Sequence, residues 1–312
     1  MKILVYFPMA EEYYQLIRDA ADGHRVVVAK NHEEAQREIT DADVVYGLCP
    51  RDVFLHAKQL KWFQSQSAGL DAVLFPELIE SEVIVTNAAG LYASHAAEHA
   101  FALLLGLTRG IHRFAENRLR RTWKGQRLVE IAGWTLGIIG MGGFGVEMAR
   151  RGQGWGLRVI AVDAYRTEKP ECVEALWGME RLNDLLSASD VVMIACPLTA
   201  ETRHLLNAKN LSLMKPSAYL INVARGGIID EKALIQVLQQ RRIAGAGLDV
   251  FEVEPLPADS PLWELDNVIL TPHVAGSSQH RPRRTVEFFC DNLRRYFAGE
   301  PLRNVVDKRK GF

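Results

Sequence analysis

A run of glycines at 140–145 and three isolated side chains, Arg225, Glu254 and His273, are the groups of this sequence that could do chemistry together. The stretch TLGIIGMGGFG at 135–145 sets Gly140, Gly142 and Gly145 in G-x-G-x-x-G register, with Gly143 and Phe144 between the last two. In that register the first glycine permits a tight turn and the second lets the backbone approach a pyrophosphate. The third lets a helix pack close on its strand, and the helix N-terminus favours an anion. Asp163 lies 23 residues after Gly140, at the end of the next apolar run. A carboxylate there can accept hydrogen bonds from the adenosine ribose hydroxyls and repel a 2′-phosphate, which predicts NAD over NADP. Arg166 argues the other way, since a guanidinium could reach a 2′-phosphate. A lone glycine motif is weak, and Asp163 alone is an ordinary loop acid; the strand before, the helix after and the acid at this distance strengthen the cofactor reading.

Each of the other three has a bland reading when taken singly. Arg225 could be a surface ion pair, Glu254 a loop acid ahead of Pro255, and His273 a satisfied core histidine. Together they supply what reduction of a 2-keto acid requires. A guanidinium can grip the substrate carboxylate and polarise the carbonyl through paired hydrogen bonds. An imidazolium can give the carbonyl oxygen a proton as hydride reaches the carbon, and a neighbouring carboxylate can orient that ring and favour its cationic form.

These groups need strand ends to carry them, because wound sheets bind ligands at the C-terminal ends of their strands. The segments NVARGGIID, GLDVFEVEP and LTPHVAG, at 222–230, 247–255 and 270–276, each follow an apolar run and carry Arg225, Glu254 and His273 respectively. Strand-like runs at 3–7, 26–29, 44–46, 62–64 and 83–85 alternate with amphipathic stretches, so the first hundred residues predict a small α/β unit. A long helix is expected over 93–120, which has apolar residues at helical spacing and no internal proline. Six further runs, at 136–139, 158–162, 191–195, 218–222, 245–248 and 268–270, predict a second wound parallel sheet of dinucleotide-binding type. A last helix over 281–297 comes after that sheet is complete and is expected to pack back on the first unit.

The chain has 312 residues, 48% of them hydrophobic, enough for a large core but too long for one compact unit, so two domains are expected. A net charge of −1 and basic residues interleaved with Glu116 and Glu130 argue against a nucleic-acid surface. The opening MKILVYFP is too short an apolar run for a secretory segment or a membrane span, and the run at 100–107 reads as a core helix. Cys49, Cys172, Cys196 and Cys290 show no metal-ligand spacing, which suits reduced thiols in a cytoplasm and gives no reason to expect a metal.

Arg225 with Gly226, Asp249 five residues before Glu254, and Pro272, His273 and Gly276 stand in an order that resembles the D-isomer-specific 2-hydroxyacid dehydrogenase family, over essentially the whole chain. The resemblance implies two α/β domains: a Rossmann coenzyme domain at 101–276 inserted into a flavodoxin-like substrate domain at 1–100 and 277–312. It implies a catalytic set of Arg225, Glu254 and His273, and a homodimer. By the same resemblance Ser67, Ala68 and Gly69, in the SAGLD loop, would hold the substrate carboxylate through backbone amides. Pro197, Thr202, Ala224, Asp249 and Gly276 would join Gly140, Gly142, Gly143, Phe144, Gly145 and Asp163 around the cofactor. The segments at 87–90 and 97–99 match the approach to the interdomain helix. Cys196 departs from the usual residue of its loop and reads as a small apolar filler. The tail VVDKRKGF is similar to that of the compact glyoxylate and hydroxypyruvate reductase branch.

The expected activity is therefore hydride transfer between NAD(H) and a small D-2-hydroxy acid or its keto partner. Formate dehydrogenases resemble this chain except for a glutamine at the position of Glu254, so the acid argues against that chemistry; phosphite oxidation keeps a similar triad. From another class, NAD(H)-sensing corepressors share the fold and the triad but are usually longer.

Overall fold

The computed structural model describes all 312 residues, which divide into two compact units: Met1–Tyr92 with Ser278–Phe312, and Ala93–Ser277.

The first unit holds strands β1 (Lys2–Tyr6), β2 (Arg25–Val28), β3 (Val44–Gly47), β4 (Trp62–Ser65) and β5 (Ile84–Thr86), with helices α1 (Glu11–Ala20), α2 (His32–Glu38), α3 (Arg51–Phe54) and α4 (Pro76–Glu80) between them. All pairings are parallel in the order β2-β1-β3-β4-β5, the flavodoxin-like winding. Alternate residues of β1 serve opposite faces: Leu4 joins a core with Val45, Phe63 and Val85, while Ile3 and Val5 join Ile17, Val44 and Trp62. The second face is closed by the last helix of the chain, Arg281–Ala298, through Val286, Phe289, Cys290 and Leu293. The expected return of the terminal helix to the first unit is thus observed.

The second unit opens with α5 (Ala93–Thr108) and α6 (Ile111–Leu119). The single helix expected over 93–120 is two, because Gly110 takes φ +64 between them and ends the first without any proline. Strands β6 (Thr135–Ile139), β7 (Arg158–Val162), β8 (Ala175–Trp177), β9 (Val191–Ile194), β10 (Tyr219–Asn222), β11 (Gly245–Leu248) and β12 (Val268–Leu270) follow, with α7 (Gly143–Gly154), α8 (Leu182–Ala188), α9 (Ala208–Leu211) and α10 (Glu231–Gln239) interposed. The expected six strands become seven because β8, only three residues long, pairs with β7 at the sheet edge. The order β12-β11-β10-β9-β6-β7-β8, entirely parallel, is the Rossmann order with one strand added. Strands β6 and β9–β11 are buried almost throughout, as both faces of a parallel sheet require.

Helix α5 comes unusually close to this sheet because glycines open the way. A Cβ on Gly247 of β11 would stand 2.7 Å from Leu103 Cβ, and one on Gly106 would stand 2.8 Å from Ile269 Cδ1 of β12. No helix of the structure is long and apolar enough to cross a membrane, and no group of three or more His, Cys, Asp and Glu side chains is placed to hold a metal ion.

Candidate active site

The glycine loop occupies the point where the strand order reverses, between β6 and β9. Gly140 takes φ +95, and a Cβ there would lie 2.6 Å from the backbone nitrogen of Cys196, the second residue after β9. A Cβ on Gly145 would lie 2.1 Å from Gly140 O, so only glycine lets α7 start this near its strand. Gly142, by contrast, has nothing within 4 Å of its Cβ position and caps α7 without a side chain. An open approach to the uncapped first turn of a twelve-residue helix, at Gly143 and Phe144, is what a pyrophosphate needs.

Asp163, directly after β7, accepts from Tyr165 N (2.8 Å) and Arg166 N (2.7 Å) at Oδ1 and from Met141 N (2.6 Å) at Oδ2. An ionised carboxylate has about four acceptor positions, so a position remains on Oδ2 for a ribose hydroxyl. The Arg166 guanidinium donates to Met141 O and Glu168 O, at 3.1 and 2.9 Å. In the loop after β9, Thr202 Oγ1 donates to Pro197 O (2.7 Å) and accepts from Thr199 N (2.7 Å), which fixes its shape. Cys196 packs part-buried against the core, and burial pushes its thiol up to about 12, in keeping with its reading as an apolar filler.

Strands β10, β11 and β12 are neighbours, so the segments after them share one edge of the sheet. His273 Nδ1 lies 2.6 Å from Glu254 Oε2, while Glu254 Oε1 accepts from Phe251 N at 3.0 Å. The carboxylate is thereby held between a peptide N–H and the ring, leaving His273 Nε2 for another partner; both side chains are about a third to a half exposed (45% and 34%). Arg225 follows β10, and Gly226 beside it presses on the same loop, since a Cβ there would fall 1.9 Å from the carbonyl carbon of Phe251. Asn222 ties this corner, donating from Nδ2 to Arg225 O (2.9 Å) and accepting from Ala224 N (3.0 Å). An apolar cavity of about 530 Å³, lined in part by Phe251, Leu256, Trp263 and Leu270, adjoins Glu254 and His273.

Asp249, directly after β11, anchors the segment that follows β12. Its carboxylate is fully buried and accepts from Thr271 Oγ1 (2.6 Å) and Val274 N (2.9 Å) at Oδ1 and from Ala275 N (2.8 Å) at Oδ2. Its carbonyl accepts from His273 N at 2.8 Å. It is the anchor of the turn that carries His273 at φ +52, a left-handed conformation that a non-glycine residue holds only when its surroundings impose it. Thr271 and Phe251 N–H are the contributors that sequence reasoning missed; the TPH step was the signal for the first, and no side chain signals the second. Gly276 closes the turn with open space at its Cβ position.

In the first unit, Ser67, Ala68 and Gly69 form a half-buried loop after β4. Ser67 N donates to Ser65 Oγ (3.1 Å), Ala88 N to Ser67 O (3.0 Å) and Asn87 Nδ2 to Ala68 O (2.8 Å).

Residues 101–275 match the model of the D-isomer specific 2-hydroxyacid dehydrogenase NAD-binding domain. The chain belongs to this family. It is 35% identical to a glyoxylate reductase of Korarchaeum cryptofilum, over 96% of this chain and 91% of that protein. It is 34% identical, over 98% of its length, to a D-3-phosphoglycerate dehydrogenase of Methanocaldococcus jannaschii, of which it spans 59%. The crystal structure of an NADPH-dependent glyoxylate/hydroxypyruvate reductase from Sinorhizobium meliloti, in complex with NADP and sulfate, superposes with a TM-score of 0.87 at 29% identity, covering 100% of this chain and 99% of that one. The family is an NAD-binding one, and the expected pairing of a Rossmann domain with a flavodoxin-like unit is what this dehydrogenase chain shows.

Proposed function

We propose that this protein reduces small 2-keto acids to D-2-hydroxy acids with a nicotinamide dinucleotide, NADH in preference to NADPH. The observation that carries the reading is the 2.6 Å pair of His273 Nδ1 and Glu254, which directs Nε2 outward as a proton donor on the sheet edge that also bears Arg225. The bound nicotinamide would supply the hydride. Gly142, Gly143, Phe144 and Gly145 would hold its pyrophosphate, Asp163 its ribose, and the loop segments of Pro197, Thr202, Ala224 and Gly276 would line it. Arg225 would grip the substrate carboxylate and polarise the carbonyl, with the amides of Ser67, Ala68 and Gly69 sharing the carboxylate. His273 would pass its proton to the carbonyl oxygen while Glu254 stabilises the ring.

Glyoxylate and hydroxypyruvate are the first substrates to try, since the Korarchaeum cryptofilum relative is a glyoxylate reductase and the Sinorhizobium meliloti structure is of a glyoxylate/hydroxypyruvate reductase. The preference for NADH is supported by Asp163, a carboxylate directly after β7 that would repel a 2′-phosphate on the adenosine ribose, and by Arg166, whose guanidinium is engaged with backbone carbonyls. Domain limits near 1–100 with 277–312 and 101–276, a homodimer and a cytoplasmic location belong to the same reading, the last supported by four unpaired cysteines.

Assays of NADH oxidation with glyoxylate, hydroxypyruvate, pyruvate and bulkier keto acids test it, with His273→Ala as the control. The wild type is expected to turn over at least one acid, and the variant to lose about 10²–10⁴-fold in kcat with NADH affinity retained. An NADH-binding protein idle across the panel would instead be a sensor of the corepressor kind.

A further inference from the structure

On the proposed reading of His273 as the proton donor, we infer that His95 and His99 are its positioning residues, a two-point clip that holds both ends of the catalytic turn. Neither has a part in binding or chemistry as derived above. They stand one helical turn apart on α5, so their side chains emerge on one face. Leu103, a further turn along that face, seats over Gly247, two residues before Asp249. The close approach allowed by that glycine sets the height and rotation of the helix, and with it the reach of the histidines.

His99 Nε2 is 2.9 Å from Thr271 Oγ1 and 3.5 Å from Asp249 Oδ1. The Thr271 hydroxyl already gives its one hydrogen to Asp249, at 2.6 Å, so in the contact with His99 it accepts and the imidazole donates. His95 Nε2 is 3.1 Å from the carbonyl of Gly276, which can only accept. One histidine therefore donates to the first residue of the turn and the other to the last, with His273 between them at φ +52. Asp249 fixes the middle through Val274 N and Ala275 N. A left-handed residue on a six-residue turn would relax if its ends were free, and the reach of Nε2 would move with it. Displacements of about an ångström in a reacting group cost on the order of a hundredfold in rate.

The test compares His99→Leu and His95→Leu with His99→Gln and His95→Gln in the full chain, reading kcat and KM for a keto acid that the wild type reduces and, separately, the Kd for NADH. Glutamine places a donor nitrogen at a reach similar to Nε2. The leucine variants are expected to lose at least about tenfold in kcat with NADH Kd within about twofold, and the glutamine variants to recover most of it. Should the leucine variants fail to fold, Thr271→Val removes the His99 contact from the other side, together with the hydroxyl's bond to Asp249, and is expected to show the same split. Leucine variants with wild-type kcat overturn the inference, as does a parallel loss of kcat and NADH affinity that glutamine leaves unrepaired. A wild type that binds NADH but reduces no keto acid would instead sink the proton-donor reading itself, and the clip with it.

Discussion

His273, Glu254 and Arg225 stood out as residue types, since each follows an apolar run and together they supply what keto-acid reduction needs. What the sequence did not disclose was how they are held. Asp249 reads as a cofactor ligand from its place before Glu254, and its buried carboxylate also holds the turn that carries His273. The partners are two peptide N–H groups and a hydroxyl, and peptide donors carry no signature in a sequence. Asp163 has a duty that its residue type did not announce, since Met141 N in the glycine loop donates to it. Asp163→Ala is therefore expected to weaken NADH binding and to narrow the gap between NADH and NADPH. Titration of both cofactors by fluorescence checks this, and an unchanged preference would remove Asp163 from the ribose role.

At the scale of elements, long apolar runs bounded by glycine or polar turns declared themselves, and the eleven expected strands are present. The twelfth, β8, was missed because three residues at a sheet edge leave no periodic signal. The break between α5 and α6 was missed for the opposite reason: apolar spacing continues through it, and only the left-handed Gly110 separates the helices. Glycines fix more here than turns, since they set how near helices lie to the sheet. Gly145→Ala forces a methyl to 2.1 Å from Gly140 O, so the start of α7 must move away from its strand. The expected cost is about 1–3 kcal/mol of stability together with a weaker grip on NADH, read by denaturant titration and cofactor binding. Unaltered NADH affinity would mean that this helix start does not hold the pyrophosphate.

At the scale of the whole molecule, one Rossmann-ordered sheet carries all the groups assigned to proton transfer, while the SAGLD loop lies in the other unit. A complete wound sheet lies in the middle of the chain and an amphipathic helix remains after it, which is the pattern of a two-unit chain; α5 falls with the second unit, from Ala93. The homodimer reading predicts a sedimentation mass about twice the 35.0 kDa of one chain, and a monomer at assay concentration would contradict it. The most direct test of the central claim follows the hydride itself. The enzyme is given hydroxypyruvate or pyruvate with NADH carrying deuterium at C4 of the nicotinamide, the label on either face in turn. The product is expected to carry deuterium at C2 with one of the two cofactors and to be the D isomer. Product that takes label from neither, or that is the L isomer, would contradict the account.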